Sequence, residues 1–161
     1  MLKYLLPISL LFLFACNFTQ HNADYAEKAK QYNAKVVADE RMISTALSFI
    51  NDYVKNCNKM KEAVSVVEWV NKSDKVTQEF KTALKKLMDE AYAKDPESGL
   101  DADPIFNAQD YPDKGFAPEK IDSSAKIVYL KGIEWPDFKL KIRMTKQNNK
   151  WLVDGCGMVN M

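Results

Sequence analysis

The spacing of apolar residues changes once along this chain, from a helical period to a strand period, and that change limits the fold most. Within 40–57 and again within 74–93, apolar side chains recur every three or four residues, as on one face of a helix. From about 125 to 153, apolar and polar residues alternate instead. Helices followed by a meander predict an α+β domain, with N-terminal helices packed on a curved C-terminal antiparallel sheet.

The helical part contains two clear apolar stripes. The first predicts a helix over 40–57 and the second a helix over 74–93, which begins after an N-cap signal at 71–74 and ends before Pro96. Residues 60–70 fit either a short helix or a strand, because the segment is rich in β-branched residues. The stripes consist of Ile43, Leu47, Ile50, Val54 and Cys57 in the first helix, and Phe80, Leu84, Leu87 and Ala91 in the second.

The alternating part follows a loop at 95–114 that is rich in Pro, Gly and Asp. It predicts strands over 125–132 and 138–145, a turn at 147–149 and a last strand that opens at Trp151. The segment 137–155 is therefore expected to be an antiparallel hairpin with one solvated, basic face.

The first fifteen residues have the proportions of a bacterial signal peptide. An apolar run follows Lys3 and is too short to cross a bilayer comfortably, which takes about 20 apolar residues. Leu13-Phe14-Ala15-Cys16 resembles the lipobox of bacterial lipoproteins. That resemblance implies cleavage before Cys16 and acylation of its thiol, which anchors the chain on a membrane. A cleaved secretory signal with a chance cysteine is the alternative.

The chain then divides into three segments: a signal peptide at 1–15, a lipid-anchored polar tether at 16–38, part of it helical, and one domain at 39–161. In the sorting pattern of such lipoproteins, Asn17 in place of aspartate favours the outer membrane, with the domain facing the periplasm. The only histidine, His21, lies in the tether. A solvated histidine without a nearby partner is not expected to act in catalysis.

Composition excludes several function classes. With 23 Lys+Arg against 22 Asp+Glu, the net charge of +1 argues against a nucleic-acid-binding surface. A domain without histidine and without an identifiable acid–base pair is not expected to be an enzyme. No cofactor is expected either.

Three segments resemble an uncharacterised family of bacterial envelope lipoproteins. They are Leu100-Asp-Ala-Asp-Pro-Ile105, Ala108-Gln-Asp-Tyr-Pro112 and Trp151-Leu-Val-Asp154. The resemblance covers about 40–160. It implies a cystatin-like cone, as in nuclear-transport-factor-2-like proteins, and an envelope location, but no reaction.

Charged residues cluster by sign, acidic ones within 101–113 and basic ones within 126–146. The acidic loop most simply builds turns, and it does not follow the calcium-loop pattern, so no metal is expected. The basic stripe is either a solvated edge that resists aggregation or a docking face for an acidic partner. As a binding surface, the sequence nominates Trp135, Lys139, Lys141, Arg143, Asp101, Asp103 and Asp110.

Two further sets of residues are candidates. Cys57 and Cys156 would form a disulfide in an oxidising compartment if their backbones come close enough. A cavity within the cone would be lined by Phe80, Leu84, Tyr129 and Trp151.

These observations favour a non-enzymatic, lipid-anchored envelope protein that binds another macromolecule. The most concrete version is an immunity or inhibitor protein that blocks an envelope or effector protein in the periplasm. A carrier or sensor of a small apolar or lipid-like ligand is the alternative, and an enzyme comes third.

Overall fold

The computed structural model describes the backbone of residues 15–161 and the side chains from residue 27 onward. The predicted signal sequence up to residue 14, and the side chains of Cys16 and His21, lie outside this description. The chain divides into two compact units, Met1–Ala38 and Asp39–Met161. Within the described residues, no helix is both long enough and apolar enough to cross a membrane.

The first helix, α1, covers Ala15–Cys57, so the part of the tether that the structure describes is helical throughout. Every side chain from 27 to 37 is exposed, as in a helix with no apolar face to bury. From residue 39 onward α1 belongs to the second unit. There Ile50 and Val54 of the predicted stripe are buried, whereas Ile43 and Leu47 are only partly buried. Met42 and Phe49 complete the buried face together with Ala46 and Tyr53.

A short second helix follows α1. After a 3-10 turn at Met60–Glu62, helix α2 covers Val66–Lys72 and starts at Ser65, whose hydroxyl accepts from the Glu68 N–H. The helical alternative for this segment is therefore confirmed and the strand alternative is wrong. A serine cap outweighs the β-branched composition here.

Helix α3 covers Gln78–Lys94 and ends before Pro96, as predicted. The predicted start of this helix, after an N-cap at 71–74, is wrong. Val153 donates its N–H to the Lys75 carbonyl and accepts from the Thr77 N–H, so residues 75–77 lie extended beside the last strand. Thr77 is the actual N-cap, since its Oγ1 accepts from the Phe80 N–H at 3.0 Å.

A four-stranded antiparallel sheet completes the α+β domain, with its strands in chain order, and the sheet is not closed into a barrel. The strands are β1 Phe116–Asp122, β2 Ile127–Gly132, β3 Lys139–Gln147 and β4 Lys150–Cys156. Strand β1 is absent from the sequence prediction because Pro118 and a register shift between Pro118 and Lys120 interrupt its alternation. The other three strands confirm the predicted meander and its turn before residue 150.

One hydrophobic core joins the helices to the inner face of the sheet. The helices contribute Phe49 and Phe80, whose rings meet edge to face at 5.9 Å. Strands β2 and β3 contribute alternate residues, among them Val128, Leu130 and Ile142, each fully buried. The remaining side chains of β3 point outward, so the predicted solvated face of this strand is confirmed.

Candidate functional site

A groove of about 760 Å³ lies at the end of β3 that β4 does not reach. It brings three of the nominated residues together, Trp135, Lys139 and Lys141. Its other walls come from the turn around 106–108 and from the C-terminal segment. The remaining lining residues are Phe106, Asn107, Ala108, Asp137, Phe138, Leu140, Gly157 and Met161.

Trp135 is 46% exposed but not loosely held. Its carbonyl accepts from the Phe138 N–H at 3.0 Å, and its ring meets the Phe138 ring at 5.2 Å. Phe138 in turn packs against buried Phe116 at 5.8 Å. Gly132 allows this tight loop, because a Cβ there would lie 2.5 Å from the Trp135 carbonyl oxygen. The loop therefore presents a large, oriented aromatic surface at the groove, which suits recognition of a partner.

The floor of the groove is a strand edge. Strand β4 pairs with β3 only from Ile142 to Gln147, whereas β2 pairs with β3 as far as Lys139. In the 15–161 range that the structure describes, no strand pairs with the 139–141 segment on its groove side. The groove thus occupies the place where a longer β4 would continue.

On the outward face of the sheet, several lysines surround one glutamate. Lys139 forms an ion pair with Glu119. This contact, with further contributions from Lys131 and Lys120, holds the pKa of the Glu119 carboxyl below its usual value. Lys120 also lies over the Tyr129 ring, 4.4 Å from its centroid.

Arg143 does not line the groove. Its Nη2 lies 3.0 Å from Asp154 Oδ2, and the other oxygen of Asp154 accepts from the Thr77 hydroxyl at 2.9 Å. Arg143 therefore ties β3 to β4 and to the start of α3. The nominated basic stripe is divided, with Lys139 and Lys141 at the groove and Arg143 in a structural contact.

The three nominated aspartates of the acidic loop differ in their surroundings. Asp103 faces inward: its Oδ1 accepts from the N–H groups of Ile105 and Phe106 at 2.8 and 3.0 Å, and its Oδ2 accepts from the Tyr53 hydroxyl at 2.5 Å. Asp101 and Asp110 are exposed. Asp103 therefore caps a turn, as the simplest interpretation of the acidic loop predicted, and its nomination as part of a binding surface stays a prediction. Among the described residues, no group of three or more His, Cys, Asp or Glu is arranged to hold a metal ion.

The two cysteines of the domain are free thiols in the structure, so the nominated disulfide is not formed there. Cys156 is buried and its Sγ lies 3.4 Å from the Ile105 carbonyl oxygen. Burial, then the charge of Asp103, raises the pKa of the half-buried Cys57 thiol to about 11. The same two causes raise the pKa of Tyr53 and of Cys156, so all three groups stay protonated at neutral pH.

Free thiols of this kind should react slowly. With the Cys57 pKa near 11, its thiolate fraction at pH 8 is about 0.001, against about 0.2 for an ordinary thiol, so alkylation should be more than a hundredfold slower. The rate should then rise about tenfold per pH unit, because deprotonation limits it. Alkylation of the Cys16→Ser chain, quenched at successive times and analysed by mass spectrometry, measures the rate at pH 8 and its dependence on pH. Unfolding in guanidinium should release two reactive thiols; fewer than two would instead indicate the disulfide.

The residues nominated as a cone lining do not share a cavity. Phe80 and Leu84 are fully buried members of the core, and Trp151 is partly buried against it. Tyr129 alternates with buried Val128 and Leu130, so it lies on the outward face of the sheet. Its nomination as a cavity residue is wrong. The outward row of β2 also begins with two apolar residues, Ile127 and Tyr129, so alternation alone does not select the inner row.

Sequence reasoning missed the walls of the groove that come from elsewhere in the chain. Met161 is half exposed in the groove, and Gly157 has a φ of +58° beside the turn at 104–106. The Met158 N–H donates to the Pro104 carbonyl at 2.8 Å, which holds the two segments together. A glycine after Cys156 is the only sequence signal for this turn.

No protein-family model matches the chain, and no curated protein and no solved structure matches it significantly.

Proposed function

We propose that this chain is a lipid-anchored protein of the bacterial cell envelope that binds another protein through the groove around Trp135. The observation that carries the binding part is the groove itself, where an oriented, exposed indole lies beside two lysines over a strand edge. Its most concrete form is an immunity or inhibitor protein that blocks a periplasmic effector. A surface of this kind binds without chemistry, and no enzymatic activity is part of the proposal.

Location and family rest on the sequence. The resemblance of Leu13-to-Cys16 to a lipobox supports acylation of Cys16, and Asn17 in place of aspartate supports attachment to the outer membrane on the periplasmic side. The α+β order of helices and open sheet is compatible with the cystatin-like cone of the envelope lipoproteins that the loop motifs resemble. We extend the proposal to membership of that family.

A carrier of a small apolar ligand is less well supported. Two of the residues expected to line its cavity, Phe80 and Leu84, are 0% and 1% exposed and pack in the core. A ligand would have to displace aromatic and aliphatic contacts of the kind whose loss costs several kcal/mol.

The test is a photoreactive benzoyl-phenylalanine placed at position 135 of the full chain in the native bacterium. We expect one discrete protein adduct in the membrane fraction. The adduct should be lost in the Lys139→Glu/Lys141→Glu variant, because the charge of the side chains that line the groove then changes from positive to negative. The Cys16→Ser chain should leave the membrane fraction, which tests the anchor separately.

The matched control places the same probe at Lys86, an exposed residue of α3 outside the groove. Position 86 should give no discrete adduct. An identical adduct at both positions, or none at position 135, would rule out the groove as the binding site. Retention of the Cys16→Ser chain on membranes would rule out the lipid anchor.

A further inference from the structure

The backbone of β3 presents hydrogen-bonding groups to the groove. Next to the 139–141 segment, the Phe138 carbonyl accepts from the Gly132 N–H at 3.0 Å, and farther along β3 the Met144 N–H donates to the Lys126 carbonyl at 2.8 Å. In an antiparallel ladder, alternate residues direct their N–H and C=O groups to opposite neighbours. Even-numbered residues of β3 therefore face β2, and the backbone of Lys139 and Lys141 is directed to the groove side.

We infer that the partner contributes an extended, acidic segment that adds to the sheet beside Lys139–Lys141, continuing the line of β4. This inference rests on the proposed function and names the chemistry of its partner. A strand that ends early next to an open groove offers main-chain bonds to an incoming peptide, and flanking side chains then select its sequence.

Charge selects the acidic class. Lys139 and Lys141 both line the groove, and Asp137 is the only acidic side chain among its described lining residues. Lys131 and Lys120 add positive charge on the same face of the sheet, as their effect on Glu119 indicates. An acidic segment would pair with Lys141 and compete with Glu119 for Lys139, whereas a basic segment would be repelled.

The aromatic wall fixes the position of such a segment. Trp135 packs on Phe138, which continues the inward row of Leu140 and not the row of the two lysines. A strand placed beside β3 would therefore have apolar contacts for the side chains that alternate with its acidic ones. The expected motif is therefore an alternation of acidic and apolar or β-branched residues over about five positions.

The experiment uses the groove's own Met161 as an attachment point. An acidic strand, Thr-Glu-Val-Asp-Val-Glu-Thr, is fused after Met161 of the full chain through a Gly/Ser linker of about ten residues. The linker makes pairing intramolecular, at an effective concentration near millimolar, so weak pairing becomes visible. Hydrogen exchange is then read at single amides of β3.

We expect exchange at the Lys139 and Lys141 amides to slow at least tenfold relative to the unfused chain. The Leu140 amide, which faces β2, should not change and serves as an internal control. A fusion with proline at alternate positions cannot pair as a strand and should give no protection. A fusion with lysine in place of each acidic residue should protect at least tenfold less, as should Lys141→Glu with the acidic fusion; Lys86→Glu should have no effect.

Equal exchange in the acidic and proline fusions would overturn strand addition. Equal protection by the acidic and lysine fusions would overturn the acidic class. Both results are separable from the proposed function, since cross-linking at position 135 does not depend on how the partner's backbone is arranged.

Discussion

Phe49→Ala should lower the free energy of unfolding by about 3–5 kcal/mol, the usual cost of removing a fully buried phenylalanine. The Phe49 ring joins all three helices: it meets Trp69 of α2 at 5.4 Å and Phe80 of α3 at 5.9 Å. Neither helix can move in to fill the space without disturbing the contacts between α2 and α3 or those between α3 and β4. A domain of this size has only about 5–15 kcal/mol of stability, so the effect is large.

Urea unfolding followed by circular dichroism measures this loss. The matched control is Tyr32→Ala, which removes another aromatic ring from the same helix where it is 69% exposed. The control should change the free energy of unfolding by no more than about 0.5 kcal/mol. A loss below about 1 kcal/mol for Phe49→Ala would mean that the ring does not hold the helices together.

Asp103→Ala should cost about 2–4 kcal/mol, because one carboxylate serves three donors. It caps the turn through the Ile105 and Phe106 N–H groups and accepts from the Tyr53 hydroxyl, which is almost fully buried on α1. Removing it leaves that hydroxyl without its partner. The turn forms a wall of the groove, so we also expect weaker binding there.

Asp101→Ala is the matched control, two residues away in the same loop and exposed. Its effect on the free energy of unfolding should stay within about 0.5 kcal/mol. Adding Tyr53→Phe to Asp103→Ala should cost less than the sum of the two single changes, since both remove the same bond. Strict additivity would contradict the Tyr53–Asp103 interaction.

The order of helices and strands was predictable because it depends on local spacing, but the buried face of α1 was predictable only in part. Ile50 and Val54 of the predicted stripe are buried, but periodicity cannot choose which flank of it lies deeper, Ile43 and Leu47 or Met42 and Ala46. The choice is made by Trp69 and Phe80, which offer the helix an aromatic surface from outside it.

The candidate site was partly predictable for the same reason. Trp135, Lys139 and Lys141 lie within seven residues of each other, so their proximity follows from one loop and one strand. Phe106 and Met161 reach the groove only through tertiary structure, and no local pattern marks them. The turn-capping role of Asp103 agrees with the simplest interpretation of the acidic loop, but composition does not show which aspartate takes it.

Thr77 sets the order in which this domain can be completed. It begins α3 with its hydroxyl and holds Asp154 with the same group, while its N–H donates to Val153, so one residue connects the middle of the chain to its last strand. A chain made from its N-terminus cannot satisfy these bonds until β4 has emerged. Until then α3 lacks its neighbouring strand, so the last strand to be made is the one that completes the packing of a helix from the middle of the chain.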